Sequence, residues 1–111
     1  MDRIEKLKEF LKNDPSDSFL KHALALEYIK LGNDSNAKEL FEAILNNDPH
    51  YVGSYYHFAR LLERNNDRDG AIKVYEKGME EAKLAGDNHT YNELRGAFED
   101  IEPLSPEGGL S

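Results

Sequence analysis

The chain contains no cysteine. Disulfides, zinc–thiolate sites and thiol nucleophiles are therefore excluded. It also lacks any run near the roughly 18 consecutive apolar residues that a membrane-spanning helix needs. The N-terminus, MDRIEKLKEF, is charged from its second residue, so no secretory signal is expected there and the expected location is cytoplasmic. Basic residues are scarce beside acidic ones: 14 Lys and Arg against 22 Asp and Glu give a formal net charge of −8. Nucleic acid and anionic membranes both attract basic surfaces, so neither is expected as a partner. A glycine-rich phosphate loop and a G-x-S-x-G nucleophile elbow are missing as well. No enzymatic activity and no cofactor are expected.

What the chain does have is helix-forming sequence that repeats. Its 111 residues, 39% hydrophobic and 32% charged, suit one helix-rich domain with a single core. Pro15 and Pro49 each follow an Asn-Asp pair and lie 34 residues apart. The same shift of 34 brings Leu24 onto Phe58, Ala25 onto Ala59, Ala37 onto Ala71, Phe41 onto Tyr75 and Glu42 onto Glu76. Small positions stay small and large apolar positions stay large. A fixed period of this length marks a repeat architecture.

Within each period the apolar residues recur at helical spacing. Leu20, Leu24, Tyr28 and Leu31 form one stripe over residues 17 to 31. Gly32, Asn33 and Asp34 end that helix and start the next, which carries Ala37, Leu40, Phe41, Ile44 and Leu45 to about Asn46. Asp48-Pro49 then breaks the chain, because the residue before proline is pushed out of helical geometry. The second period predicts helices near 51–64 and 68–84. Outside the two periods, Ile4, Leu7, Phe10 and Leu11 form a stripe over residues 2 to 13, opened by a capping box from Asp2 to Glu5. Tyr91, Leu94, Phe98 and Ile101 form another after Gly86-Asp87. The tail EPLSPEGGLS is rich in Pro, Gly and Ser and is expected to be disordered.

These positions resemble the tetratricopeptide repeat (TPR) family, whose signature reads W-x₂-L-G-x₂-Y, A-x₃-F and P over 34 residues. Leu24-Ala25, Tyr28, Gly32, Ala37, Phe41 and Pro49 supply it in the first repeat, with Lys21 where the aromatic usually stands. Tyr55, Phe58-Ala59, Ala71 and Tyr75 supply it in the second, with Lys83 in place of the closing proline. The last helix restarts it two residues late with Tyr91, Leu94 and Phe98. The resemblance implies an all-α solenoid of six helices in antiparallel pairs, about two and a half repeats, like the small standalone TPR proteins of bacteria. Its expected layout is a TPR domain over 1–103: a half-repeat helix at 1–15, repeats at 18–51 and 52–87, a capping helix at 88–102, then a tail at 104–111. The polar outer faces of the two end helices, Arg3, Glu5, Lys6, Glu9 and Lys12 on one and Asn92, Arg95, Glu99 and Asp100 on the other, favour a monomer over a weak dimer, with a self-assembling scaffold as an alternative role.

One stretch competes with this reading. NNDRDGAIKVYE, residues 65 to 76, places Asn65, Asp67, Asp69, Gly70 and Glu76 on the ligand and turn positions of a calcium loop. Its counterpart 34 residues earlier, LGNDSNAKELFE, turns at the same place and keeps no calcium template. Asn65 is also neutral where Asp is normally required. The stretch is read as a helix-turn-helix corner, with the second helix beginning at Asp69 and that carboxylate as its N-cap.

The resemblance also implies where function resides, since TPR domains present the first helix of each repeat to a concave groove that binds a peptide or helix of another protein. In family register the first repeat contributes Phe19, His22, Leu26, Ile29 and Lys30. The second contributes Tyr56, His57, Arg60 and Arg64, with Glu63 among them, and the last helix His89 and Asn92. Lys30, Arg60 and Arg64 among aromatic and aliphatic neighbours suit an acidic peptide. His22, His57 and His89, one per helix, are an alternative divalent-metal set, though no HExxH or HxxxH pair preorganises them. The Lys, Asn, Asn, Lys, Arg set by which co-chaperone TPR domains hold a terminal carboxylate falls here on His22, Leu26, His57, His89 and Glu93, and none matches.

Overall fold

The computed structural model describes residues 1–101. They form six helices and, among the described residues, no strand: α1 Arg3–Asn13, α2 Ser18–Lys30, α3 Asp34–Asn47, α4 Gly53–Arg64, α5 Arg68–Ala85 and α6 Asn88–Ile101. The tail expected to be disordered, and the end of the expected capping helix, lie outside the described residues. Contacts divide the chain into two compact units, Met1–Ser54 and the residues from Tyr55 onward. No helix among the described residues is long and apolar enough to cross a membrane.

In the first unit, α1 opens with the capping box expected from its sequence. The Asp2 side chain accepts from the Glu5 N–H at 2.9 Å, and the Glu5 side chain accepts from the Asp2 N–H at 3.1 Å. Three residues of the α1 stripe pack on α2: Leu7 is buried with Ala23 and Leu24, and Ile4, Leu11, Leu20, Tyr28 and Leu40 close around them, whereas Phe10, placed in the stripe by its spacing, is exposed. Ala25, Ala37, Phe41 and Ile44 are wholly buried. Ala25 and Ala37 are the small signature positions, and their size is what lets neighbouring helices approach closely.

The repeat is written into the backbone as well as the sequence. Asp14 and Asp48, each before a proline, cap their helices at φ −144°, ψ 74° and φ −143°, ψ 72°. Gly32 and Asn66, again 34 apart, are both left-handed, at φ 75° and 66°. The next residues, Asn33 and Asp67, take φ −95°, ψ 69° and φ −98°, ψ 72°, and both cap the following helix.

In the second unit, Phe58, Ala59, Leu61, Leu62, Ala71, Ala82, Leu94 and Ala97 are buried, with Tyr55 and Tyr75. A Cβ on Gly78 would lie 2.6 Å from Tyr55 Cβ, so only glycine allows α5 to lie this close to Tyr55 on α4. Without the closing proline, α5 runs for 18 residues to Ala85, where left-handed Gly86 ends it. Asp87 then starts α6, its carboxylate accepting from the Thr90 N–H at 3.0 Å and the Thr90 hydroxyl at 2.7 Å. Those hydrogen bonds hold the Asp87 carboxyl below its usual range.

Candidate functional site

The calcium-like stretch is a corner between two helices. Asn65 ends α4, its side-chain amide donating to the Leu61 carbonyl at 2.8 Å. Asn66 supplies the left-handed turn, which asparagine tolerates better than most residues. The sequence placed the N-cap at Asp69, and the structure moves it to Asp67, whose carboxylate accepts from the Gly70 N–H at 2.9 Å. A single left-handed residue reverses the chain quickly enough for α5 to start at Arg68. Among the described residues no group of three or more His, Cys, Asp or Glu side chains is arranged to hold a metal ion.

In the first unit the candidate groove residues differ in how far they are committed. Phe19 is exposed. His22 is half-buried, with Nδ1 2.8 Å from the hydroxyl of wholly buried Ser54. Its ring stands edge-on to Phe41 at 6.0 Å and tilted to Tyr51 at 5.8 Å. Leu26 and Ile29 are half-buried. Lys30 is exposed and reaches Glu27 at 3.2 Å, while Arg3 of α1 reaches the same carboxylate at 3.0 Å. The Lys30 hydrogen bond, with Arg3 assisting against some desolvation, holds the Glu27 carboxyl below its usual range.

The second unit presents a more open arrangement on α4. The Arg60 guanidinium lies over the Tyr56 ring at 6.0 Å, and Tyr56 meets His57 at right angles, 5.6 Å between centroids. Arg60 is exposed, and no carboxylate among the described residues forms an ion pair with it. His57 is half-buried, and burial lowers its pKa while the nearby charge of Glu93 on α6 partly opposes that. Arg64, His89 and Asn92 are exposed in the same unit.

Behind Arg60 lies a contact that sequence reasoning missed. The hydroxyl of wholly buried Tyr75 donates to the Glu63 carboxylate. Burial and that bond push the Tyr75 phenol well above its ordinary pKa. The signal was present: one repeat earlier the two positions are Ile29 and Phe41, so the carboxylate and the hydroxyl appear together.

The tetratricopeptide repeat model matches residues 20–51 and 52–83, more than half of the chain. The chain belongs to the tetratricopeptide repeat family. It is 42% identical to a tetratricopeptide repeat domain protein from Salinibacter ruber. The solution structure of that protein superimposes with a TM-score of 0.77, covering 82% of this chain and 92% of that one. Its crystal structure gives 0.75, covering 80% of this chain and all of the other. A protein from Bordetella parapertussis shares the fold at 22% identity, with a TM-score of 0.79 over 96% of this chain and 93% of that one. Over 74 residues, 67% of its length, the chain is also 30% identical to mouse aspartyl/asparaginyl beta-hydroxylase. That match spans only 10% of the hydroxylase. TPR domains of this kind are typically non-catalytic and serve protein–protein interaction.

Proposed function

We propose that this TPR chain binds a segment of another protein without catalysis, and that the α4 face formed by Tyr56, His57 and Arg60 takes an acidic group from it. The observation that carries the proposal is Arg60: an exposed guanidinium laid over an aromatic ring, with no carboxylate of the described residues paired to it. Arginine offers a planar fork of donors that a carboxylate meets with two parallel hydrogen bonds. Tyr56 supplies a flat surface for an apolar neighbour of that carboxylate, and aromatic–arginine pairs are where binding energy tends to concentrate. Lys30 is the weaker candidate because it already spends its charge on Glu27. Glu93 repels an anion near His57, so the acidic group belongs on the Arg60 side of the face.

Panning a random peptide library on the immobilised protein tests this. Enriched sequences should carry Asp or Glu beside an apolar residue, and a Tyr56→Ala, Arg60→Glu variant should release them. Enrichment of uncharged sequences that the variant retains equally would overturn the proposal.

A further inference from the structure

Arg60 and Glu63 stand three residues apart on α4, a spacing at which opposite charges on a helix meet. Left to themselves they would pair, and the guanidinium would have little left to offer a ligand. Instead Glu63 takes the hydroxyl of Tyr75, twelve residues on in sequence and on α5. Tyr75 is wholly buried, so its hydroxyl comes from the inside of the unit while Arg60 faces solvent. The half-buried Glu63 carboxylate is held by Tyr75, and the guanidinium of Arg60 is left exposed. The positive charge of Arg60 is still felt at Tyr75, which places these groups in one cluster.

We infer that Tyr75 is a positioning residue for anion recognition: by holding the Glu63 carboxylate, its hydroxyl leaves Arg60 available for a carboxylate on a partner peptide. This rests on the reading of Arg60 given above and adds the residue that sets its availability. The first repeat packs the corresponding position without a hydroxyl. There Phe41 is as completely buried as Tyr75, and Ile29 stands where Glu63 would be. The hydroxyl and the carboxylate it meets thus occur together in the second repeat and are both missing from the first. Loss of the hydroxyl would free Glu63 to turn back one helical step and neutralise Arg60.

The test uses the full chain and Tyr75→Phe, Glu63→Gln and the double variant, titrated with a capped tetra-glutamate peptide at fixed low salt. Binding is read from the Arg60 Nε–Hε cross-peak in ¹⁵N NMR, and folding is checked by thermal melting. In the wild type the cross-peak should move saturably. Tyr75→Phe should weaken binding by about two- to fivefold, the size of effect an exposed ion pair has. Without peptide, it should also slow exchange of the Arg60 Nε proton. The double variant, with no carboxylate to compete, should bind at least as well as the wild type. Rescue of this kind separates positioning from packing, because a packing defect would persist in the double variant. Binding by Tyr75→Phe as tight as wild type, or a double variant as weak as Tyr75→Phe, would overturn the inference and leave the role of Arg60 standing. No response of wild-type Arg60 to the peptide would overturn both.

Discussion

Gly78 on α5 and Tyr55 on α4 approach so closely that a Cβ on the glycine would sit 2.6 Å from the tyrosine Cβ and 2.8 Å from its Cγ. Leu94 Cδ1 closes the other side at 3.0 Å. Tyr55 Cβ cannot swing away without moving its backbone, so the overlap must be relieved by separating the helices. The overlap should cost about 1–3 kcal/mol against the roughly 1 kcal/mol that alanine's helix propensity returns, so Gly78→Ala should destabilise the protein by up to about 2 kcal/mol. Gly96 on α6 is the control. A Cβ there meets nothing within 4 Å. Gly96→Ala should stabilise by about 0.5–1 kcal/mol, as expected for a helical glycine in open space. Urea unfolding of the two variants should move the midpoint in opposite directions.

The paired corners at Gly32 and Asn66 give a second expectation. Both need a left-handed residue, and the two repeats solve the problem with different side chains. Gly32→Asn should therefore be tolerated. Gly32→Ala should cost about 1 kcal/mol, because a Cβ at φ 75° crowds the following carbonyl and alanine has no polar group to compensate. Thermal melting of both variants checks the order.

Much of this fold could be read from the sequence, for a physical reason. Periodicity reports which face of a helix is buried, and glycine, proline and capping residues report where helices end. The six helices, the Asp2–Glu5 box and the extended α5 follow from those signals alone. Partners across the chain do not. His22 meets Ser54 32 residues away, and Tyr75 meets Glu63 12 residues away on another helix. A side chain assigned to a face by register says nothing about whether a neighbour has already claimed it. That is why His22, Arg60 and Lys30 looked alike in sequence, yet the first lies against Ser54 and two aromatic rings, the second over Tyr56, and the third on Glu27.

The Asp67 cap allows a direct test of the calcium-like stretch. Asn33 caps α3 in the same backbone conformation without a charge. Asp67→Asn should then leave stability within about 0.5 kcal/mol of wild type, whereas Asp67→Ala should cost about 1 kcal/mol. A calcium loop would behave otherwise, since the ion would stabilise the folded state by mass action and Asp67→Asn would weaken that. Calcium should leave the melting temperature of all three proteins unchanged. A rise seen in the wild type and reduced in Asp67→Asn would restore the metal reading.

Stability should also fall at both ends of the pH scale, through identifiable groups. Burial, partly opposed by Glu93, lowers the pKa of His57 in the folded state below its ordinary value near 6.5. A histidine of this kind contributes stability that is complete above its unfolded pKa and is lost as pH falls through the folded one. Acidification below about pH 6.5 should therefore destabilise the protein, and His57→Gln should flatten that limb. The alkaline limb has the opposite sign. Burial raises the phenols of Tyr51 and Tyr75, helped by Asp17 and Asp48 in one case and by Glu63 in the other. The unfolded chain releases those protons near pH 10 while the folded chain retains them, so stability should drop above about pH 10. Tyr75→Phe should remove its share of that slope, up to about 1.4 kcal/mol per pH unit for one proton. Urea midpoints from pH 5 to 11 would show both limbs. A tyrosinate absorbance that develops near pH 10 for all six tyrosines, with the protein still folded, would contradict the alkaline one.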